Sequence, residues 1–289
     1  MTGHTPGVLS FGPGVHDISE HDYFAATGAL SCSGAKLLLP PSCPALFRYR
    51  QDHPEHKDVF DFGSAAHKMV LGAGPELAVI DAPDWRTKKA QEAKKAAYAG
   101  GRTPLLAAEH AQVLAMTEAI RRHEIAGPLL DPANGGHAEQ SLFWVDEETG
   151  VHRRCRVDRL PEPGRGPFVV TDYKTTDHAD PDSIAKAVTN YGYLQQEQWY
   201  LDAVRALGLD EDPDFWFVFQ EKNAPYLVNV ARVREGDRWI GRARNRQAIE
   251  RFRDCTERDV WPGYEGDTED GITDITLPPW AARNLGVYA

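Results

Sequence analysis

The chain has no apolar run approaching the roughly 18 residues that a membrane span needs, and its opening segment, rich in Gly, Pro and Thr, lacks the blocks of a secretory leader. A cytoplasmic protein with no membrane partner is therefore expected. Cysteine is scarce. Cys32, Cys43, Cys155 and Cys255 are the whole complement and no two stand in a Cys-x-x-Cys pair, which in 289 residues argues against a disulfide framework. Positive charge is also short: 32 Lys and Arg face 43 Asp and Glu, for a net charge of -11, so a general basic coat for nucleic acid is excluded. The cations that exist fall in short clusters, namely Arg48 with Arg50, Lys88, Lys89, Lys94 and Lys95, Arg121 with Arg122, and Arg153, Arg154 and Arg156. Each cluster reads either as a solvated face or as part of a path for a phosphate backbone. No internal repeat is present.

What is there is enough apolar material, 42% of the residues, for one sizeable core. The expected division is a flexible lead over 1–16, a single domain over 17–261, and an irregular tail over 262–289 packed locally through Trp280 and Tyr288. Apolar periodicity predicts helices over 33–39, 62–71, 83–101, 104–123 and 236–257, with one long helix over 181–207. Strands are predicted over 139–145, 151–160, 214–220 and 227–233, with a turn at 146–150.

The most informative stretch is 151–176, VHRRCRVDRLPEPGRGPFVVTDYKTT. Phe168-Val169-Val170-Thr171 reads as a buried strand that ends abruptly in Asp172-Tyr173-Lys174. Because strand side chains alternate, Asp172 and Lys174 project from one face and Tyr173 from the other. With Asp158 on the neighbouring strand, two carboxylates and one amine share a point, and a hard divalent cation would explain the burial of both acids. Asp-x-Lys alone is common by chance; the order hairpin, strand, helix around it makes it specific.

That order resembles the PD-(D/E)xK nuclease core, and more closely the phage RecE-like exodeoxyribonuclease family, the exodeoxyribonuclease VIII type. Four further segments carry the resemblance in order. Leu30-Ser31-Cys32-Ser33-Gly34-Ala35-Lys36-Leu37-Leu38 is similar to the family's opening helix, and Phe62-Gly63-Ser64-Ala65-Ala66-His67 to its Gly-x-x-x-His segment. Asp172-Tyr173-Lys174-Thr175-Thr176 resembles the catalytic strand, and Tyr191 to Tyr200 the helix whose Gln and Tyr follow the catalytic lysine. Val157 stands where the family's name has proline, and Asp172 where many relatives have Glu.

The resemblance implies an α/β (α+β) fold: a restriction-endonuclease-like core with a central mixed sheet flanked by helices and helical N-terminal additions. It implies Asp158, Asp172, Lys174 and Gln196 as catalytic, and His67, Asp158, Asp172 and the Tyr173 carbonyl as metal ligands. The cofactor would be Mg²⁺, replaceable by Mn²⁺. Gln195 is the register alternative to Gln196. Tyr200 would support the site, and Glu139 would either bind metal through water or be a solvated strand start. Ser31, Ser33 and Lys36 could hold a DNA phosphate, a simple N-cap at either serine being the other reading. Some relatives carry an iron–sulfur cluster on one early and three late cysteines; only Cys255 lies late here, so no cluster is expected and Cys32 and Cys155 read as small buried residues. The implied activity is Mg-dependent exonucleolytic hydrolysis of double-stranded DNA from its ends, 5′ to 3′, by a homo-oligomeric ring that works with a single-strand annealing protein in phage recombination. The compartment is then the cytoplasm of a bacterial host. A PD-(D/E)xK endonuclease or repair nuclease, and an inactive DNA-binding module of the same fold, are the alternatives.

Overall fold

A continuous apolar run at 142–145 and alternating apolar and charged residues over 154–158 fold 137–160 into an antiparallel hairpin, on which the remaining strands assemble. The computed structural model describes residues 11–53, 61–164, 166–264, 272, 275–278 and 280–281. Its strands are β1 (Gly14–His16), β2 (Leu30–Ser31), β3 (Leu77–Ile80), β4 (Thr103–Leu106), β5 (His137–Val145), β6 (His152–Leu160), β7 (Val169–Thr176), β8 (Asp214–Glu221) and β9 (Val228–Ala231). The helices are α1 (Glu20–Ala25), α2 (Cys32–Leu37), α3 (Pro44–Asp52), α4 (Asp61–Leu71), α5 (Lys88–Ala99), α6 (Ala107–Arg122), α7 (Ala126–Leu130), α8 (Pro181–Asn190), α9 (Tyr193–Ala206) and α10 (Glu235–Arg258).

Among the described residues seven strands form one mixed sheet in the order β1-β5-β6-β7-β8-β9, with β2 parallel to β6. β7 and β8 are parallel and every other neighbouring pair along that path is antiparallel. A parallel pair needs a long crossover, and α8 with α9 supply it. Strand alternation gives the sheet two apolar faces. Val170, Phe215, Phe217 and Phe219 pack with Ala35, Leu38, Phe47, Trp199, Val204 and Ile249 of α2, α3, α9 and α10. Tyr173 and Val218, one residue out of phase, pack on the other face with Ala65, Ala66, Val113, Met116, Ile120 and Leu130 of α4, α6 and α7. Fully burying side chains of this size contributes about 1.5–3 kcal/mol each, so both faces hold the sheet in place.

Several expected elements change. The single helix over 181–207 is two helices, because Gly192 lies in the left-handed region at φ 63, where a side chain is strained and a Cβ would also stand 3.2 Å from Lys36 Cε. Asp180 caps α8 through the Asp182 and Ser183 N–H groups, with Pro181 at the first turn. The helix expected from residue 104 starts at Ala107, since Thr103–Leu106 are buried and pair in parallel with β3. Glu109 closes the new start by accepting from Leu106 N–H at 2.8 Å. The lead is not wholly free: Gly14–His16 pairs with β5, and Phe11 packs its ring 5.3 Å from Phe143, while residues 1–10 lie outside the described ones. In the tail, Pro262 accepts from Ala45 N–H, but Trp280 is exposed instead of packed, and Tyr288 lies outside the described residues. No helix among the described residues is long and apolar enough to cross a membrane.

Candidate active site

β6 and β7 pair at Arg159 and Thr171. Two residues further along β7, the Tyr173 N–H turns to a side chain and donates to Asp158 Oδ2 at 2.8 Å. The carboxylate thus stands where a strand carbonyl would, and opens the sheet between the two acids. Through this opening residues from both faces meet.

On the α9 face Asp172 is 1% exposed. Lys174 Nζ lies 2.5 Å from its Oδ2, and Gln196 Nε2 donates to its Oδ1 at 2.6 Å. Gln195 faces α10 instead, where its side chain meets Arg244 and Asn245, so the register of α9 gives the site Gln196. Burial opposes the Lys174 charge, but Asp172 and then Asp158 outweigh it and hold the amine above the usual lysine range. Tyr193 lies with its ring 5.2 Å from the same Nζ. Tyr200 packs against Phe215 at 5.8 Å between ring centres, within the core beside the site.

On the α4 face stand His67, Glu139 and Asp158. Ala65 and Ala66 are fully buried, and these small side chains bring α4 down on the sheet. His67 packs 5.0 Å from the Tyr173 ring, with Nδ1 3.6 Å from Asp158 Oδ2. Tyr173 is fixed in turn by its hydroxyl, which donates to Gln220 at 2.6 Å. Burial, with Lys174 adding to it, lowers the His67 pKa and favours the neutral imidazole, the form that binds metals. Burial and the charge of Asp172 push Asp158 up to about 7. Burial and Asp158 likewise raise Glu139, against the pull of Arg156, whose Nε donates to it at 2.6 Å.

One imidazole and two carboxylates therefore place ligand atoms within 4.8 Å of one another, in a group held by His67, Glu139 and Asp158. That donor set fits a divalent cation, which would relieve the repulsion that raises both acids. The group differs from the expected one. Glu139 takes the place reserved for Asp172, whose two oxygens are turned to Lys174 and Gln196. Among the described residues Glu139 is also one of few non-glycine residues at positive φ, 54, and the β5–β6 register runs Ala138 to Arg159 and Gln140 to Val157 around it. A strand residue held in that conformation is a strained position of the kind that gathers at functional sites.

Other expected residues lie apart. Ser31 is the N-cap of α2, its hydroxyl accepting from Gly34 N–H at 3.1 Å, which is the plain reading of that serine. Ser33 is exposed, and Lys36 donates to Tyr191 O at 2.8 Å. The cluster Arg153, Arg154 and Arg156 does not face outward. Arg153 is 3% exposed, lies 4.7 and 4.0 Å from the rings of Trp144 and Trp199, and pairs with Asp202 at 3.1 Å. Arg154 covers the Tyr23 ring and donates to Tyr23 O. Arg156 serves Glu139, Ser141 Oγ and Ile18 O. The signal for its link to the site is the β6 alternation, which puts Arg156 on the Asp158 face. Lys88, Lys89 and Lys95 of α5 are exposed. All four cysteines are buried free thiols.

A family model described as a PDDEXK-like domain of unknown function (DUF3799) matches residues 31–270. Among solved structures, a protein from Eubacterium rectale described as a "putative exonuclease" is similar over 93% of this chain and 98% of its own, with a TM-score of 0.61 and 13% sequence identity. That likeness is one of fold. Comparison with curated proteins finds no match.

Proposed function

Because the chain belongs to the PDDEXK-like domain family DUF3799, we propose that it is a metal-dependent deoxyribonuclease that degrades double-stranded DNA from its ends. The observation that carries this reading is the meeting, through one opening in the sheet, of a cation-binding group (His67, Glu139, Asp158) with a polar group (Asp172, Lys174, Gln196). Mg²⁺ in the first group would lower the pKa of a water and offset phosphate charge. Lys174 remains an ammonium, so its part is to donate to the developing pentacovalent phosphate and not to remove a proton. Gln196 fixes the Asp172 carboxylate, which sets the direction of the Lys174 amine. The Tyr173 carbonyl is assigned to the metal by resemblance alone.

Exposed lysines of α5 give the protein a local positive surface despite its net charge, and we assign the backbone of the duplex to them, without sequence preference. The exonuclease reading draws on the RecE-like motifs and on the name of the Eubacterium rectale neighbour. Polarity from 5′ to 3′, a homo-oligomeric ring and a single-strand annealing partner in phage recombination follow from the motifs only.

The test is digestion of a linear duplex labelled at its 5′ or its 3′ ends, with and without Mg²⁺, beside a covalently closed circle. Early release of the 5′ label, late loss of the 3′ label and an intact circle are expected. Cutting of the circle at the linear rate would make the protein an endonuclease. DNA binding with no hydrolysis at any metal concentration would make it a binding module.

A further inference from the structure

The break between α8 and α9 leaves an aromatic ring in an unusual place. Tyr191 closes α8 and is 65% exposed. It is not a loose side chain on a loose loop. The left-handed Gly192 fixes the turn after it, its N–H is held by Ala187 O at 2.9 Å, and its carbonyl accepts from Lys36 Nζ at 2.8 Å. Lys36 thereby uses its ammonium to hold this junction. The Tyr191 ring lies 5.7 Å from that of Tyr193. Tyr193 rests on Phe217 and Phe219 at 5.5 and 6.1 Å, and lies 5.2 Å from Lys174 Nζ. From the amine of the site outward there is thus a half-buried ring and then an exposed one, both on a rigid base.

The Tyr191 ring stands one ring beyond Tyr193, which itself lies 5.2 Å from Lys174 Nζ, so a phosphodiester held at Lys174 would bring a neighbouring nucleotide toward it. A nucleobase offers a π-face whatever its identity, and stacking on an aromatic ring is tolerant of sequence. Stacking requires the base to leave its own duplex neighbours, so the ring also favours a frayed end over an intact one. We infer that Tyr191 is the stacking platform for the nucleobase adjoining the scissile phosphate, holding that nucleotide away from its complement. This rests on the nuclease reading above, and its test is separable from it.

The full chain and its Tyr191→Ala, Tyr191→Phe and Tyr191→Trp variants are mixed, with Ca²⁺ replacing Mg²⁺, with duplexes carrying 2-aminopurine at successive terminal nucleotides. Wild type, Phe and Trp should quench the fluorophore at one position near the end, and Ala should not. In Mg²⁺ the Ala variant should show KM raised roughly 5- to 150-fold, the range of one base–aromatic stack, with kcat little changed. Placing an abasic nucleotide at that position should bring wild type to the level of the Ala variant. Equal melting temperatures exclude a folding effect, and Tyr191 is exposed enough for that to hold. If the Ala variant keeps wild-type quenching and KM while DNA is cleaved, the stacking role is overturned and the nuclease reading stands. Quenching by a wild type that never hydrolyses DNA supports stacking and removes the nuclease reading. A protein that binds no DNA overturns both.

Discussion

The two halves of the site differ in what each carboxylate has for company. Asp172, on the α9 face, is almost wholly buried and has a donor for each oxygen, Lys174 on one and Gln196 on the other. Asp158, on the α4 face, has one backbone N–H, and its other close neighbours are a second acid and an imidazole that burial keeps neutral. The first half is electrically complete as it stands and the second is short of a cation. Two acids one strand apart are therefore not a symmetric pair: one organises the amine that meets the phosphate, and the other gathers the metal.

The strongest way to break this division is to set Lys174→Ala against His67→Ala. Removing a donor to transition-state charge costs about 10²–10³-fold in kcat, and extra metal should not restore it. Turnover at saturating Mg²⁺ checks this, with a melting temperature to register the buried Asp172 left without its partner. A Lys174→Ala enzyme with near wild-type kcat would abolish the distinction between the halves.

The second variant should give the opposite pattern. His67→Ala removes a ligand, so the Mg²⁺ concentration for half-maximal activity should rise by roughly 10-fold or more, while saturating metal returns most of the rate. Mn²⁺, which accepts nitrogen ligands more readily, should lose more than Mg²⁺ does. A metal titration that superimposes on that of wild type would leave His67 as a packing residue on Tyr173.

How far this arrangement could be read from residues alone depends on how local each part is. β6 follows from alternation and β5 and β7 from short apolar runs, each within a single segment, and alternation also gives the shared face of Asp172 and Lys174 and the opposite, buried face of Tyr173. β1 and β2 are three and two residues long and are strands only because β5 and β6 lie beside them, so periodicity cannot show them. The end of α8 was hidden because apolar spacing runs on through a left-handed glycine. Arg153, Arg154 and Arg156 looked like a solvated or DNA-facing run. The burial of Arg153 and Arg154 depends on Trp199 and Asp202 of α9 and Tyr23 of α1, far off in sequence. Residue type alone leaves Glu139 between two readings, because the left-handed backbone that turns it into the group with His67 and Asp158 is not a property of residue type.

The smallest expected effect is on stability, and it sharpens the comparison without any substrate. Asp158 is held at about 7 in the folded protein against an ordinary carboxylate value of 3.8. Between those values the folded state binds the proton and the unfolded state has lost it, so stability falls as pH rises. Its contribution is full below 3.8 and is lost on passing about 7. The side chain is 14% exposed, and solvent screening reduces the effect to on the order of 1–3 kcal/mol. In chelator-treated protein, unfolding by urea at pH 5.5 and at pH 8 should show this loss, and Asp158→Asn, which cannot ionise, should remove it. Mg²⁺ added at pH 8 should restore stability to wild type but not to Asp158→Asn, because a cation that binds only the folded state stabilises it by mass action. If Asp158→Asn keeps the wild-type pH dependence, the deficit of positive charge does not lie at Asp158, and the metal does not belong to that half of the site.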